Sequence, residues 1–521
     1  MRSFIMACRA AAAAAIAVSL TACGSGTATP PAAQTEQSVA HSAGYRHTPP
    51  RPPAPRVFIT DADRAAAAAA GWTAVAGTAP FGTNGAGTPL LLTDGTILIG
   101  DNTSNYYKLT PNAFGNYAKG TWSQVASLPS GYGPLYFASA VRADGTVLVE
   151  GGEYNFFSQT ETNLGALYDP VANTWTPVTP PNNWTQIGDA QSAVLNDGTF
   201  MLGNCCKYTQ ALSAPGGTSW TSAGSGKADA NSEEGWTLLP NAQVLTADVL
   251  NAPNSELYNP ATKTWTSAGK IPVKLTQSDE IGPQILRPDG TVFVAGANGH
   301  TAIYNSKTSA WAAGPNFPIV NGAQVDIADG PATLLTNGRV LMVTSPGVYQ
   351  SPSYYYIFTG TGFTAVPGPP NAPNDSSYNV RLLLLPTGQV LETDGSNDVE
   401  IYTPGVKPST NIAPVISSVP STLTHGTTYS ISGQRFNGFS QANAYGDDAQ
   451  MATNYPLVQI TMTASKHVYY ARTHGHSFMG VASQATVSTN FDVPASIETG
   501  AATLVVIANG IKSAPTSVTI D

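Results

Sequence analysis

Short apolar runs joined by tight polar turns recur along most of the chain. Both central positions of a type I′ turn have positive φ, so Asp-Gly or Asn-Gly between two apolar runs predicts a β-hairpin. Equivalent turn sites lie 44 to 53 residues apart, at Asp94-Gly95, Asp144-Gly145, Asp197-Gly198, Asn241-Ala242, Asp289-Gly290, Asn337-Gly338 and Thr387-Gly388. A hairpin that repeats at this period predicts a β-propeller.

An aromatic residue ends each of these repeats. The positions are Trp72, Trp122, Trp175, Trp220, Trp265, Trp311 and Phe363. Seven turns and seven aromatics predict seven blades of four strands over residues 71–405. Trp72 precedes the first turn, whereas the last repeat reaches Tyr402 without an aromatic strand of its own. We therefore expect the strand around Trp72 to complete the seventh blade, because this closure removes two exposed sheet edges.

The repeat ends after Lys407, and apolar strands then follow at closer spacing. Runs such as LVQITMT and TLVVIANG, separated by turn residues, are typical of a β-sandwich. Residues 412–521 are therefore predicted to form a separate immunoglobulin-like domain. The fold class predicted for the whole chain is all-β.

The first 22 residues have the features of a secretion signal. The apolar run AAAAAIAVSL follows Arg9, is too short to span a bilayer permanently, and ends in LTAC. This pattern resembles a bacterial lipoprotein signal, in which Cys23 is lipidated; the alternative is an ordinary secretory signal cut nearby. Residues 23–70 predict a flexible Ala/Pro/Thr-rich stalk, in which DADRAAAAAAG could form a short helix. The expected location is the bacterial cell envelope, lipid-anchored and facing the periplasm or the exterior.

Charge and cysteine content limit the partners. A net charge of −9 with only 23 Lys and Arg residues excludes a nucleic-acid partner, because phosphate binding needs a clustered basic surface. We expect a monomer with a small-molecule or glycan ligand. Cys205 and Cys206 are adjacent, and with Cys23 lipidated they have only each other as partners. A vicinal disulfide is geometrically demanding, and two reduced, buried thiols are the alternative.

A kelch-type propeller followed by an immunoglobulin-like domain resembles the galactose oxidase and glyoxal oxidase family of copper-radical oxidases, from Trp72 to Asp521. In that family the copper lies on the propeller axis, bound by two Tyr, one of them cross-linked to Cys, and by two His. The resemblance matches Tyr136, eight residues before its turn, to the cross-linked Tyr, and Tyr154 to the indole that stacks on it. Thr88 stands where the Cys is expected, so no thioether can form.

Two further ligand positions depart from the family pattern. Tyr378 matches the axial Tyr, but the His that should follow it is Asn379, and the last His is matched by Gln450. Cu(II) prefers imidazole and phenolate donors, and neutral amides bind it weakly. We therefore predict no resident cofactor. In the alternative that retains copper, the ligands are Tyr136 and Tyr378.

Acidic residues occupy several other positions at the predicted channel mouth. Eight residues before their turns stand Asp189, Glu233 and Asp329, and further acids nearby in sequence are Glu234, Asp279, Glu280 and Asp326. If they converge, they could bind Ca²⁺, a cationic group or sugar hydroxyls; alternatively, each caps local backbone or faces solvent. His474 and His476 are interpreted as part of a polar hairpin loop without a metal.

Three functions follow from these patterns. The first is a binding protein whose axial pocket holds a saccharide or other neutral ligand, with the candidate residues Tyr136, Tyr154, Tyr378, Asn379, Gln450, Asp189, Glu233 and Asp329. The second is a copper-dependent alcohol or aldehyde oxidase that produces hydrogen peroxide. The third is a structural or adhesion module of the cell surface.

Overall fold

The computed structural model describes residues 59–446 and 448–521. The predicted signal, Cys23 and most of the predicted stalk lie outside the described residues. The described chain consists almost wholly of strands, which confirms the all-β class. Helix α1 (Asp61–Ala69) occupies the last part of the predicted stalk. Thr60 caps this helix, since its hydroxyl accepts from the Asp63 amide at 3.2 Å and its own amide donates to the Asp63 carboxylate at 2.9 Å. Within the described residues, no helix is long and apolar enough to cross a membrane.

The first three antiparallel sheets follow strand β1 (Trp72–Ala74), and we number the sheets in chain order. Sheet 1 contains β2 (Pro89–Leu91), β3 (Ile97–Gly100), β4 (Tyr106–Thr110) and β5 (Thr121–Gln124). The next strands are β6 (Pro134–Leu135), β7 (Ala138–Val141), β8 (Val147–Glu150), β9 (Tyr154–Asn155), β10 (Ser158–Gln159), β11 (Gly165–Asp169) and β12 (Thr174–Val178). Sheet 2 contains β7, β8, β11 and β12, and a small three-stranded insertion contains the others. The insertion is β6, β9 and β10. Sheet 3 contains β13 (Ser192–Val194), β14 (Phe200–Gly203), β15 (Gln210–Ser213) and β16 (Trp220–Ser222).

The next three sheets continue the same hairpin pattern. Sheet 4 contains β17 (Thr237–Leu238), β18 (Val244–Ala247), β19 (Asn254–Asn259) and β20 (Thr264–Lys270). Sheet 5 contains β21 (Gln284–Leu286), β22 (Thr291–Ala295), β23 (Thr301–Asn305) and β24 (Ala310–Ala313). After the small hairpin β25 (Ile319–Val320) and β26 (Ala323–Gln324), sheet 6 contains β27 (Ala332–Leu334), β28 (Val340–Thr344), β29 (Tyr354–Phe358) and β30 (Phe363–Val366).

The seventh sheet joins the two ends of the ring. It contains β31 (Arg381–Leu384), β32 (Val390–Thr393), β33 (Glu400–Tyr402) and, as its outermost strand, β1. Trp72 pairs with Tyr402, and Ala74 pairs with Glu400. The predicted closure by the Trp72 strand is therefore confirmed.

The repeated aromatic lies on the outermost strand of its sheet. Several of these indoles donate a hydrogen bond to the preceding sheet or to the segment that follows it. Trp72 donates to the Pro367 carbonyl at 2.8 Å, Trp175 to the Ala126 carbonyl at 3.0 Å, and Trp220 to the Thr179 carbonyl at 2.8 Å. In these three sheets the indole therefore fastens the sheet to its predecessor, which is a physical reason for its repetition.

The C-terminal strands form one hydrogen-bonded sheet of nine strands. After a turn of 3-10 helix (Thr410–Ile412), these are β34 (Val415–Ser418), β35 (Thr422–Leu423), β36 (Thr428–Gln434), β38 (Leu457–Met462), β39 (Val468–His474), β40 (Thr486–Asp492), β41 (Gly500–Ala508), β42 (Ile511–Lys512) and β43 (Thr516–Ile520). Strand β39 pairs with β38 through Val468–Ala471 and with β40 through Arg472–His474, so it is shared by two halves of the sheet. The prediction of an immunoglobulin-like domain stays a prediction.

One C-terminal segment leaves this sheet and runs along the inner strands of the ring. Its short strand β37 (Asn443–Ala444) pairs with β27 of sheet 6. The Asn443 side-chain oxygen also accepts from the Leu384 amide of sheet 7 at 2.8 Å. Further along, the Ala449 amide donates to the Phe137 carbonyl beside sheet 2 at 3.1 Å. This segment, described at residues 441–446 and 448–455, thus ties together sheets that are far apart in sequence.

Candidate functional site

A cavity of about 60 Å³ lies among sheets 1, 2 and 7. Tyr136, Tyr378 and Asn379, all matched from the sequence to the axial site, line it together. The other lining residues are Asn84, Ala86, Gly87, Thr88, Asn102, Leu135, Phe137, Phe157, Arg381 and Gly395. A water molecule needs roughly 10–15 Å³ of such volume, so the cavity has room for about four to six waters or for part of one sugar unit.

Tyr136 is positioned by the irregular backbone between β6 and β7. Its φ is 51°, a conformation that is unusual for a bulky residue. Its carbonyl accepts from the Glu153 amide at 3.0 Å, and its ring meets the Tyr154 ring edge-on at 6.1 Å between centres. Gly152 allows the segment before Tyr154 to lie against Pro134, because a Cβ at Gly152 would lie 2.8 Å from Pro134. Tyr154 therefore supports Tyr136 but does not line the cavity.

Tyr378 lies in a turn of 3-10 helix (Ser377–Asn379) that precedes β31. The Ser377 amide donates to the Ser345 hydroxyl at 2.7 Å, which fixes the turn against sheet 6. The carbonyl oxygen of Tyr378 accepts from Arg381 at 2.7 Å and from the Tyr445 hydroxyl at 2.6 Å. The turn that carries Tyr378 is thus held by residues of sheets 6 and 7 and by the C-terminal segment.

Arg381 is the principal residue that the sequence reasoning missed. Its guanidinium carbon lies 5.3 Å from the centre of the Tyr136 ring and 3.7 Å from that of the Tyr445 ring. Burial opposes its charge, but Tyr445 and Asp448 act in the other direction and the pKa of Arg381 is raised overall. A signal was present in the sequence, because RLLLL places a cation at the start of a fully buried strand.

The buried phenols of this site are hydrogen-bond donors rather than anions. Burial raises the pKa of Tyr136 and of Tyr445 well above the ordinary value, even though Arg381 acts in the opposite direction on both. Burial, followed by Glu153, also raises the pKa of Tyr154. These side chains are therefore protonated at neutral pH. Tyr136, the one of the three that lines the cavity, suits a ligand with carbonyl or hydroxyl oxygens.

Three of the predicted mouth acids converge in a second group, which Tyr349 joins to the cavity-lining Tyr378. Glu233, Glu280 and Asp329 are buried, and each offers a carboxylate oxygen within 4.8 Å of the others. The Tyr349 hydroxyl donates to Glu280, and the Tyr349 ring meets the Tyr378 ring edge-on at 5.0 Å. Three carboxylates could supply much of the oxygen coordination that Ca²⁺ prefers. The expectation of Ca²⁺ stays a prediction.

The other predicted acids do not join this group. Asp189 is buried near Tyr154 and contributes to raising the pKa of that phenol. Asp279 is exposed. Glu234 belongs to a separate buried group, where the Lys227 ammonium lies 3.0 Å from it and 2.6 Å from Glu256. The converging ring predicted from equivalent positions is therefore too broad, since only Glu233 and Asp329 of its three main members meet.

The donor set at the cavity does not fit the copper of the resembling oxidases. Asn379 lines the cavity, whereas the Gln450 side chain is buried and donates to the Asp448 carbonyl at 3.3 Å. His474 bonds Asp492 at 3.0 Å and His476 bonds Thr489 at 2.8 Å, within the C-terminal sheet. None of the cavity-lining residues in the described chain is a histidine or cysteine. Two phenols, three amides and a guanidinium remain, and this set lacks the imidazole donors that Cu(II) prefers.

Cys205 and Cys206 form a disulfide in the loop between β14 and β15. The Cys205 amide donates to the Ile187 carbonyl at 3.0 Å. The next carbonyl along the chain, that of Gly188, accepts from the Gly152 amide at 2.8 Å. This contact places the disulfide loop beside the segment that carries Tyr154.

A second missed feature is the hairpin of β9 and β10. Phe157 at its tip lines the cavity, and its neighbour Phe156 is 42% exposed. The Asn155 side chain accepts from the Gly133 amide at 2.8 Å and donates to the Gly131 carbonyl at 2.9 Å. The hairpin is thereby fixed to the segment that leads to Tyr136.

Comparison with known proteins gives similarity in structure only. No protein-family model matches the chain, and no curated protein matches it significantly in sequence. The solved structures it resembles include propellers. One is a fungal alcohol oxidase of the AA5 family in complex with copper, with 14% identity, a TM-score of 0.48, and 86% of this chain and 98% of that chain covered. Others are YjhT, with 13% identity, a TM-score of 0.38 and coverage of 54% and 97%, and the WD40 propeller domain of Doa1, with 10% identity, a TM-score of 0.39 and coverage of 64% and 95%. At this level neither copper nor an oxidase activity carries over to this chain.

Proposed function

We propose that this protein binds a small neutral ligand, such as the terminal unit of a saccharide, in the cavity beside Tyr136 and Tyr378, without copper-radical chemistry. The observation that carries the proposal is the cavity lining, which combines protonated phenols with the amides of Asn84, Asn102 and Asn379. Such groups donate hydrogen bonds to hydroxyls and carbonyls and accept hydrogen bonds from hydroxyls. Aromatic rings beside them suit the apolar face of a sugar.

The proposal includes a location at the bacterial cell envelope, held by a lipid on Cys23. It is supported by the sequence pattern LTAC at the end of the apolar run. Replacement of Cys23 by Ser should release the protein from the membrane fraction into the soluble fraction, as measured by immunoblotting of fractionated cells. Continued association with the membrane fraction would contradict the anchor.

Ligand binding is tested on the full-length protein with a glycan array, followed by calorimetry with each sugar that binds. Tyr136→Phe should weaken binding about three- to tenfold, because one hydrogen bond is worth about 0.5–1.5 kcal/mol. Asn379→Ala should have a similar effect. The matched controls are Tyr208→Phe and Asn182→Ala, which change exposed residues and should leave the affinity unchanged.

The same preparation tests the oxidase alternative. Full-length protein is incubated with Cu(II), freed of excess metal, and assayed for bound copper and for peroxide release with sugars and aldehydes. We expect less than stoichiometric copper and no peroxide. Stoichiometric copper with turnover would refute binding without redox chemistry, and the absence of both copper and ligand would favour a structural or adhesion role.

A further inference from the structure

The tip of the β9–β10 hairpin carries two consecutive phenylalanines in an unusual conformation. Asn155 pairs with Ser158, so Phe156 and Phe157 form a two-residue turn. Their φ angles are 48° and 62°. A turn with positive φ at both central positions favours Asn-Gly, because large side chains are sterically hindered in this region. The local backbone alone does not explain two aromatic residues here, and such conformations are enriched at functional sites.

The two side chains have different surroundings. Phe157 lines the cavity beside Tyr136 and Asn379. Phe156 packs on Gly133, where an added Cβ would lie 2.7 Å from the ring, and it is nevertheless 42% exposed. One side of the Phe156 ring is therefore supported by backbone while part of the ring faces solvent. The two rings are thus on adjacent residues, one lining the cavity and the other partly exposed.

The hairpin is held firmly enough to present these rings. The Asn155 side chain bonds the backbone of Gly131 and Gly133, and β9 pairs with β6 through Leu135 and Tyr154. Pre-organised aromatic surface costs little conformational entropy on binding. A cavity of about 60 Å³ cannot enclose more than a small part of a sugar chain, so a longer ligand must continue outside it.

We propose that Phe156 and Phe157 form an aromatic subsite for a second sugar residue, and that the natural ligand is an oligosaccharide of at least two units. Phe157 contacts the sugar unit that enters the cavity, and the Phe156 ring stacks on the apolar face of the next sugar unit. This inference rests on the proposed function and narrows its ligand class.

The test compares monosaccharides with disaccharides on the full-length protein. Calorimetry is performed with glucose, galactose, mannose and N-acetylglucosamine, and with one disaccharide of each. We expect at least one disaccharide to bind on the order of tenfold more tightly than its monosaccharide, the size of effect that one aromatic contact gives. Phe156→Ala should abolish this ratio while leaving monosaccharide affinity within about twofold.

Two further variants separate the subsite from general damage. Gly133→Ala should also lower the ratio, because its new methyl group displaces the Phe156 ring without touching the cavity. Phe114→Ala removes a more exposed phenylalanine, at 60% exposure, and should leave the ratio unchanged. Circular dichroism and the melting temperature verify that each variant is folded.

The outcomes distinguish this inference from the proposed function. If monosaccharides bind and Tyr136→Phe weakens them, but disaccharides bind no more tightly, the subsite is refuted and the pocket stands. An unchanged ratio in Phe156→Ala refutes it as well. If none of the sugars binds to the wild-type protein, the saccharide assignment of the pocket fails and the subsite fails with it.

Discussion

Replacement of Arg381 tests how the axial site is held together. Its Nη1 donates to the carbonyls of Tyr378 at 2.7 Å and Val380 at 3.2 Å, and its guanidinium stacks on Tyr445. Arg381→Lys keeps the positive charge but loses the planar group that makes these contacts together. Arg381→Met has similar length and removes the charge as well.

The structure sets the expected magnitudes. A hydrogen bond from a charged donor contributes about 1.5–3 kcal/mol, and a desolvated cation–π contact contributes about 2 kcal/mol. Removing the cation also leaves Asp448 and Asp329 without the guanidinium that interacts with them, and breaking a buried charge pair costs about 3–5 kcal/mol. Because these terms overlap, we expect Arg381→Lys to lower the free energy of unfolding by about 2–3 kcal/mol and Arg381→Met by about 4–5 kcal/mol.

Urea unfolding at pH 5.5 and pH 7.5 measures both the size and the cause of the loss. Without the guanidinium the folded-state pKa of the nearby carboxyl groups rises, so the stability of Arg381→Met should fall further as the pH increases. Arg381→Lys should lack this additional dependence on pH. Arg339→Met, at an exposed arginine, is the control and should change stability by less than about 0.5 kcal/mol. Equal losses in Arg381→Lys and Arg381→Met at both pH values would refute the role of the charge.

Three further results are expected. Trp72→Ala should cost at least about 2 kcal/mol more than Trp220→Ala in urea unfolding, because Trp72 is fully buried and closes the ring, and equal losses would show that the closure adds no stability. Burial raises the pKa of Asp326 to about 7, so its stabilising contribution is present below pH 4 and is lost as the pH rises through 7. Asp326→Asn should therefore gain stability relative to the wild type between pH 5 and pH 8, and parallel pH curves would contradict that shift. Asn379→His combined with Gln450→His should bind Cu(II) at least tenfold more tightly than the wild type in a metal titration, and unchanged affinity would mean that these positions do not meet at one metal.

The ring could be predicted from the sequence because its signals are local and repeated. A turn dipeptide and an aromatic recur in each unit, and their number defines the closing strand around Trp72. The strand pairing of Trp72 with Tyr402 follows from this count although the two residues are far apart in sequence. Tyr136, Tyr378 and Asn379 could be placed together for the same reason, since their distance from the turns fixes their height on the inner strands.

The remaining features depend on contacts that no repeat encodes. Arg381 lies between rings from sheet 2 and from the C-terminal segment, and only the folded chain brings these together. The β9–β10 hairpin is an insertion into one repeat, and a Phe-Phe pair gives no turn signal because Asn-Gly is the usual choice. The prediction of an acidic ring included too many residues. Equivalent positions of the repeats lie at the same level along the channel, but their side chains need not point toward one another. Asp189 accordingly lies near Tyr154 while Glu233 and Asp329 meet.

Arg381 supplies a reason against copper that is independent of the missing histidines. A guanidinium next to the Tyr136 ring repels a divalent cation at this position, and the repulsion is strong where burial lowers the effective dielectric constant. The same cation favours ligands that bring acceptor oxygens, because it polarises the carbonyl and hydroxyl groups that surround the cavity. The neutral amide of Asn379 and the buried arginine two residues later therefore act in the same direction. Together they favour a pocket that recognises oxygen-rich neutral molecules over one that holds a redox metal.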